Sequence, residues 1–190
     1  MLRIGVLALQ GAVREHIRSF ADCGVEAVSV KQPHELDNLD GLVLPGGEST
    51  TMRRLIRVSG MSEALENFKN AGKPMFGTCA GLILLARKVV GEQPSQLASM
   101  DITVERNSFG RQVESFETRL NIRHVAPDFS AVFIRAPHIR HAGPQVEVLS
   151  EYDGRIVMAR QGNMLGCSFH PELTGDNRIS RYFIEMIKNA

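Results

Sequence analysis

The sequence predicts an α/β fold: a mostly parallel sheet covered by helices on both faces, with an antiparallel β extension. Three observations predict it. Short apolar runs alternate with amphipathic ones through the first half of the chain, the pattern of successive strand–helix units. Glycines stand where those helical runs should stop, at Gly24, Gly60 and Gly72. Beyond about residue 98 the runs become short and β-rich, and turn sequences rather than helices divide them.

In chain order, Leu2–Leu9 reads as a buried strand and Val13–Cys23 as a helix with Val13, Ile17 and Phe20 on one side. Glu26–Lys31 is a second strand, and Leu42–Leu44 a third that ends at Pro45-Gly46-Gly47. Thr51–Val58 and Met61–Ala71 carry helical periodicity. Pro74–Thr78 is a strand and Ala80–Val89 a helix. The β-rich part comprises Ile102–Val104, Ser115–Leu120, Val132–Arg135, Val146–Ser150, Arg155–Ala159 and Met164–Phe169, with turns at Tyr152–Gly154 and Gln161–Asn163. These segments are expected to extend the same sheet. Asp176–Lys188 closes the chain as a helix with Ile179, Phe183, Met186 and Ile187 inward.

Composition narrows the function. A chain of 190 residues, 43% hydrophobic, suits one domain spanning 1–190. Twenty-two basic against twenty-one acidic residues leave a formal charge of +1, which gives no footprint for a nucleic-acid or membrane partner. Three widely spaced cysteines argue against a disulfide scaffold or a cysteine-rich zinc site. The apolar N-terminal run is too short to span a bilayer, so a cytoplasmic setting is expected. Cys23 and Cys167 read as packed residues, His16 and His34 as surface residues. For His138 and His141 a role in a site and a role in a loop are equally open.

Gly77-Thr-Cys-Ala-Gly81 has the form Gly-x-nucleophile-x-Gly at a strand-to-helix turn. Such a turn lifts its middle side chain above the sheet, where the helix N-terminus favours a thiolate. Taken alone, Cys79 is equally well a buried small side chain. Phe169-His-Pro-Glu-Leu173 alters that balance. Residues two apart on an extended segment face the same side, so His170 can serve as base and Glu172 as the group that orients it. Upstream, Pro45-Gly-Gly-Glu-Ser-Thr-Thr51 supplies a glycine turn and a helix N-cap at Ser49 or Thr50. Its backbone N–H groups can also meet an oxyanion, together with that of Ala80.

A Gly-x-Cys-x-Gly elbow, a Pro-Gly-Gly-Glu-Ser turn and a late His-Pro-Glu together resemble the triad (class I) glutamine amidotransferases. The chain is most similar to one branch, the glutaminase subunits of pyridoxal 5'-phosphate synthase. The matching segments are Gly5–Ala12, Leu44–Thr51, Gly77–Leu82, Arg106–Gln112, Phe133–Pro137 and Ser168–Leu173. Many other triad amidotransferases carry a glutamine shortly after the elbow, where Leu82–Leu85 stands here; that favours the vitamin B6 branch.

The resemblance implies a flavodoxin-like three-layer α/β/α sandwich and a glutaminase reaction through a thioester. It makes Cys79 the nucleophile, His170 the base and acid, and Glu172 the orienter. Gly47, Ala80 and Gln10 would form the oxyanion site, and Gly47, Glu48, Ser49, Arg106, Ile134 and Arg135 would bind glutamine. It implies no cofactor or metal on this chain. The partner would be a (β/α)8-barrel synthase subunit, twelve glutaminases on twelve synthases, receiving the ammonia. The alternatives are another cysteine hydrolase and a non-catalytic regulatory subunit of the same fold.

Overall fold

The computed structural model describes residues 1–93, 97–109 and 114–190. Strands β1 (Arg3–Leu7), β2 (Glu26–Val30), β3 (Gly41–Leu44), β4 (Met75–Thr78) and β12 (Met164–Cys167) form a parallel block in the order β2-β1-β3-β4-β12. Helices α1 (Val13–Ala21), α2 (Ser49–Val58), α3 (Met61–Asn70), α4 (Ala80–Leu85) and α5 (Arg178–Lys188) flank it.

Alternation within the strands makes the two cores. Leu42, Leu44 and Met75 turn to one side and pack with Met52, Ile56, Leu65 and Leu82 of α2, α3 and α4. Ile4, Val6, Val43 and Phe76 turn to the other and pack with Phe20 of α1 and Ile179, Phe183 and Ile187 of α5. A strand buried on both faces has no polar side to show, hence the unbroken apolar run Leu42-Val-Leu44. The helices are stripes by the same logic: α5 buries Ile179, Phe183, Ile184, Met186 and Ile187.

Beyond the block the sheet continues through β11 (Arg155–Gln161), β9 (His138–Ala142), β6 (Met100–Glu105) and β5 (Ala86–Val89), with β10 (Glu147–Tyr152) also paired to β11. The expected antiparallel extension is present in β12-β11-β9-β6 and β10-β11. Its membership differs from expectation at β9, which lies outside the expected strands, and in two further places. Strands β7 (Ser115–Ile122) and β8 (Ala126–Ile134) pair only with each other, as a separate two-stranded sheet. Phe116 stacks flat on Phe133 at 4.7 Å, and both contact Tyr152 of β10. Side chains rather than a backbone ladder thus hold much of the hairpin to the body, aided by Arg123 N–H donating to the Leu149 carbonyl at 2.8 Å.

The second difference is at Ala80–Val89, expected as one helix. The helix ends at Leu85, Ala86 turns extended (φ −66°, ψ 139°), and residues 86–89 become β5, paired in parallel to β6. Leu82–Leu85 are wholly buried, whereas Arg87 and Lys88 are exposed. A continued helix would carry those charges along the same buried path, and an edge strand lets them face water.

Candidate active site

The strands of the parallel block all end at one edge, and their following residues build the site. Ligands of open α/β sheets gather at that carboxyl edge. Gln10 follows β1, Gly46 and Gly47 follow β3, Cys79 follows β4, and His170 follows β12.

Cys79 sits at φ 50°, ψ −105° between β4 and α4, a left-handed value rare outside glycine. Its backbone N–H donates to the Cys167 carbonyl at 2.9 Å, which ties the elbow to β12. The flanking glycines are required by close approach. A Cβ on Gly81 would lie 1.9 Å from the Leu44 carbonyl oxygen, and one on Gly77 2.4 Å from the Gly81 oxygen. The helix therefore starts directly against β3, and Cys79, 7% exposed, looks into a cleft. That cleft encloses about 320 Å³ and is lined by residues that include Gly47, Ser49, Ala80, Ile83 and Arg106. A larger groove of about 460 Å³ between Pro33 and Lys73 shares no lining residue with this cleft, and its lining contains no cysteine, serine or threonine.

His170 is fixed from three sides. Its backbone N–H donates to the Val132 carbonyl of β8 at 2.8 Å, so the separate hairpin sets its position. Its ring packs against Gly46, where a Cβ would come within 2.4 Å of Cε1 and 3.5 Å of the Cys79 Cβ. Nδ1 is hydrogen-bonded to Glu172 Oε1 at 2.6 Å in a buried contact. Pro171 begins a short 3-10 turn, Pro171–Leu173, which folds Glu172 back onto the ring. The pairing is therefore made by a turn after β12 and not by strand alternation.

Burial alone would lower the His170 pKa, but interactions with Cys79 and Glu172 outweigh it and push the value up to about 10. Burial would likewise raise Glu172; the hydrogen bond with His170 and the charge of that ring hold it below the ordinary carboxylate value. Cys167, fully buried, has its thiol pushed well up by desolvation and donates to the Phe169 carbonyl at 3.4 Å, the inert packed residue expected.

The remaining expected residues separate into groups. Gly47, Glu48, Ser49, Ala80, Arg106 and Arg135 line the cleft with Cys79. The carbonyl of Ile134 lies 3.9 Å from the Cys79 sulfur. Gln10 stands behind the loop: its Oε1 accepts from the Glu48 N–H at 2.9 Å and packs beside Gly47. The N-cap of α2 is Glu48 rather than Ser49 or Thr50, its carboxylate accepting from the N–H groups of Thr50 and Thr51. These bonds hold Glu48 down at about 2 against the cost of burial. Glu48 also bonds Arg106 at 3.1 Å, and Arg106 is held on its other side by Glu92. Arg135 adopts φ 44° and reaches Glu114 at 3.3 Å. Of the Arg106–Gln112 segment, residues 110–112 lie outside the described residues.

One histidine differs from expectation, and one that the sequence left open is placed. His16 is 2% exposed, not a surface residue, because α1 turns it inward against Thr78 and Glu172. His138 is on β9, hydrogen-bonded to Ser108, and is not among the residues lining the cleft.

The fold and its elbow define a class. A solved structure of a glutamine amidotransferase superposes with a TM-score of 0.92 at 47% identity, covering 97% of this chain and 98% of that one. A Thermotoga maritima PurLQS structure shares the fold at a TM-score of 0.70 and 17% identity, covering 99% and 98%. The architecture is that of the class I glutamine amidotransferases. Within that class the chain belongs to the SNO glutamine amidotransferase family, whose model matches residues 6–189. It is 64% identical over 190 residues to the pyridoxal 5'-phosphate synthase subunit PdxT of Geobacillus sp. (strain WCH70), covering 100% of this chain and 99% of that one. It is 65% identical over 189 residues to the PdxT of Geobacillus kaustophilus, covering 100% and 96%.

Proposed function

We propose that the chain is the glutaminase subunit of a pyridoxal 5'-phosphate synthase, converting L-glutamine to L-glutamate and ammonia for a synthase partner. The observation that carries the chemistry is the buried 2.6 Å contact of His170 with Glu172, beside a cysteine on a strained elbow at a cleft. Identity of 60–65% with several PdxT subunits over nearly full length supports the pathway.

Because Nδ1 of His170 is engaged by Glu172, Nε2 is the ring nitrogen left for the sulfur. The thiol proton of Cys79 rests on His170, held there as an imidazolium by Glu172 and the sulfur, and the thiolate attacks the side-chain amide carbon of glutamine. The tetrahedral oxyanion is met by the backbone N–H groups of Gly47 and Ala80. The C–N bond then breaks, His170 returns the proton to the departing nitrogen, and ammonia leaves a γ-glutamyl thioester. Water, deprotonated by His170, hydrolyses the thioester to glutamate and restores the thiol. Arg106 and Arg135 suit the α-carboxylate and Glu48 the α-ammonium. Gln10 sets the Gly47–Glu48 loop that presents the N–H groups.

The partner in this reading is a (β/α)8 barrel carrying twelve glutaminases on twelve synthase subunits. The chain acts as one domain, residues 1–190, in the cytoplasm. The direct experiment measures ammonia release from glutamine with and without the synthase subunit, in wild type and Cys79→Ala. Release that requires both synthase and Cys79 supports the reading. Equal release from wild type and Cys79→Ala in the complex overturns it.

A further inference from the structure

The His170–Glu172 contact uses one oxygen of the carboxylate. The other, Oε2, is buried and makes no hydrogen bond of ordinary geometry among the described residues. A buried carboxylate oxygen left without a partner is costly. The ring nitrogen Nε2 of His16 lies 3.5 Å from it, with both side chains essentially inaccessible (2% and 0% exposed). The same nitrogen is 3.1 Å from the hydroxyl of Thr78, the residue directly before the nucleophile. Phe76, on the same strand as Thr78, meets the His16 ring edge-on at 6.4 Å between centroids.

We infer that His16 is a positioning residue for the triad, its Nε2–H braced between Thr78 Oγ1 and Glu172 Oε2. The inference rests on the glutaminase reading. The opposite tautomer would aim a nitrogen lone pair at a carboxylate oxygen, so the proton belongs on Nε2. The geometry links the two halves of the machinery: the strand that ends in the nucleophile and the turn that carries its base. Burial keeps His16 neutral against the pull of Glu172, and His170 opposes a second positive charge beside it. A neutral donor aligns Glu172 without taking the negative charge that His170 uses. A lysine or arginine there would compete for it. The helix bearing His16 is itself anchored, since Ser19 Oγ bonds Asn177 and Ser180 at the start of α5.

The titratable groups facing His16 are Glu172 and His170 across from α1 and Glu15 on it. Two variants separate bracing from bulk: His16→Phe keeps the ring and its packing but has no donor, whereas His16→Gln keeps an N–H near the same place. In the complex with the synthase subunit, His16→Phe should lower kcat for glutamine hydrolysis roughly 10- to 100-fold, the worth of one hydrogen bond to a charged group. KM should stay within about twofold and His16→Gln should recover most of the loss. Unchanged kcat in His16→Phe, or equal loss in both variants, overturns the inference. If His16→Phe does not melt cooperatively, Thr78→Val decides, because it removes the hydroxyl that holds the ring. A kcat-selective loss supports the brace and wild-type kcat overturns it. If wild type itself releases no more ammonia than Cys79→Ala, the glutaminase reading has failed. The rate of Cys79 alkylation against pH then still tests the brace. A midpoint moved to higher pH in His16→Phe and restored in His16→Gln supports it, and superimposable profiles overturn it.

Discussion

Nδ1 of His170 lies 2.6 Å from Oε1 of Glu172, in a contact where the carboxylate side chain is fully buried. Two residues apart in sequence, they meet because Pro171 starts a tight turn. An ion pair in such a place is expensive unless geometry and hydrogen bonds offset the desolvation. Its retention next to a strained cysteine suits chemistry better than stability.

Glu172→Gln keeps the shape of the side chain and removes its charge. In the proposed mechanism the His170 imidazolium then loses its main support, and the ring can settle in the wrong tautomer. Ammonia release in the complex should fall about 100-fold or more, with circular dichroism unchanged. Full activity would remove Glu172 from the mechanism.

The same pair has a signature in stability. His170 is raised from 6.5 to about 10, so its contribution is complete below about 6.5 and is lost as pH rises towards 10. Glu172 is lowered from 4.5, so its contribution is present above about 4.5 and is lost as pH falls through the folded value. The urea midpoint of wild type should exceed that of Glu172→Gln most between pH 4.5 and 6.5, and the gap should narrow on the alkaline side. A gap that widens towards pH 10 would contradict the assignment.

Arg106 lines the cleft but is tied to Glu48 and Glu92. Arg106→Ala should raise KM for glutamine roughly tenfold while kcat changes little, the mark of a group that binds substrate and transition state alike. The more exposed Arg135, at 68% of its side-chain surface, should matter less.

Glu48 caps α2 through the N–H groups of Thr50 and Thr51. Glu48→Ala should cost about 1 kcal/mol of stability, the usual worth of such a cap. Because its pKa is lowered from 4.5 to about 2, the benefit is full above pH 4.5 and disappears as pH falls towards 2. Denaturant midpoints of the two proteins should converge at the acid end.

Gly81→Ala should destabilise by about 1–3 kcal/mol or more, since its Cβ would fall 1.9 Å from a backbone oxygen that cannot move aside. Gly175→Ala meets nothing within 4 Å and should be within about 0.5 kcal/mol of wild type. Thermal melts of the pair measure the contrast.

The parallel half of this fold is legible because short apolar runs such as Pro74–Thr78 alternate with helical ones such as Met61–Ala71, which stops at Gly72. The elbow and His-Pro-Glu were legible because their meaning is local. What escaped was set by distant partners. Residues 86–89 follow the apolar run Leu82–Leu85 with no glycine or proline between them, and pairing with β6 makes them a strand. His138–Ala142 carries no strand signal of its own, because its basic residues mask a strand held between β6 and β11. His16 and Ser19 lie on the buried side of a helix read from Val13, Ile17 and Phe20, and the groups that make them inward are 62 and more residues away. Periodicity places apolar residues inside and has no means of placing a polar one whose partner comes from another part of the chain.

The claim that Cys79 carries the acyl group is tested most directly by rapidly quenching the synthase complex during glutamine turnover and mapping the acylated residue by mass spectrometry. The expected result is one γ-glutamyl group on Cys79, accumulating before steady state and absent from Cys79→Ala. Ammonia release with the acyl group on another residue, or with none on any cysteine, would contradict it.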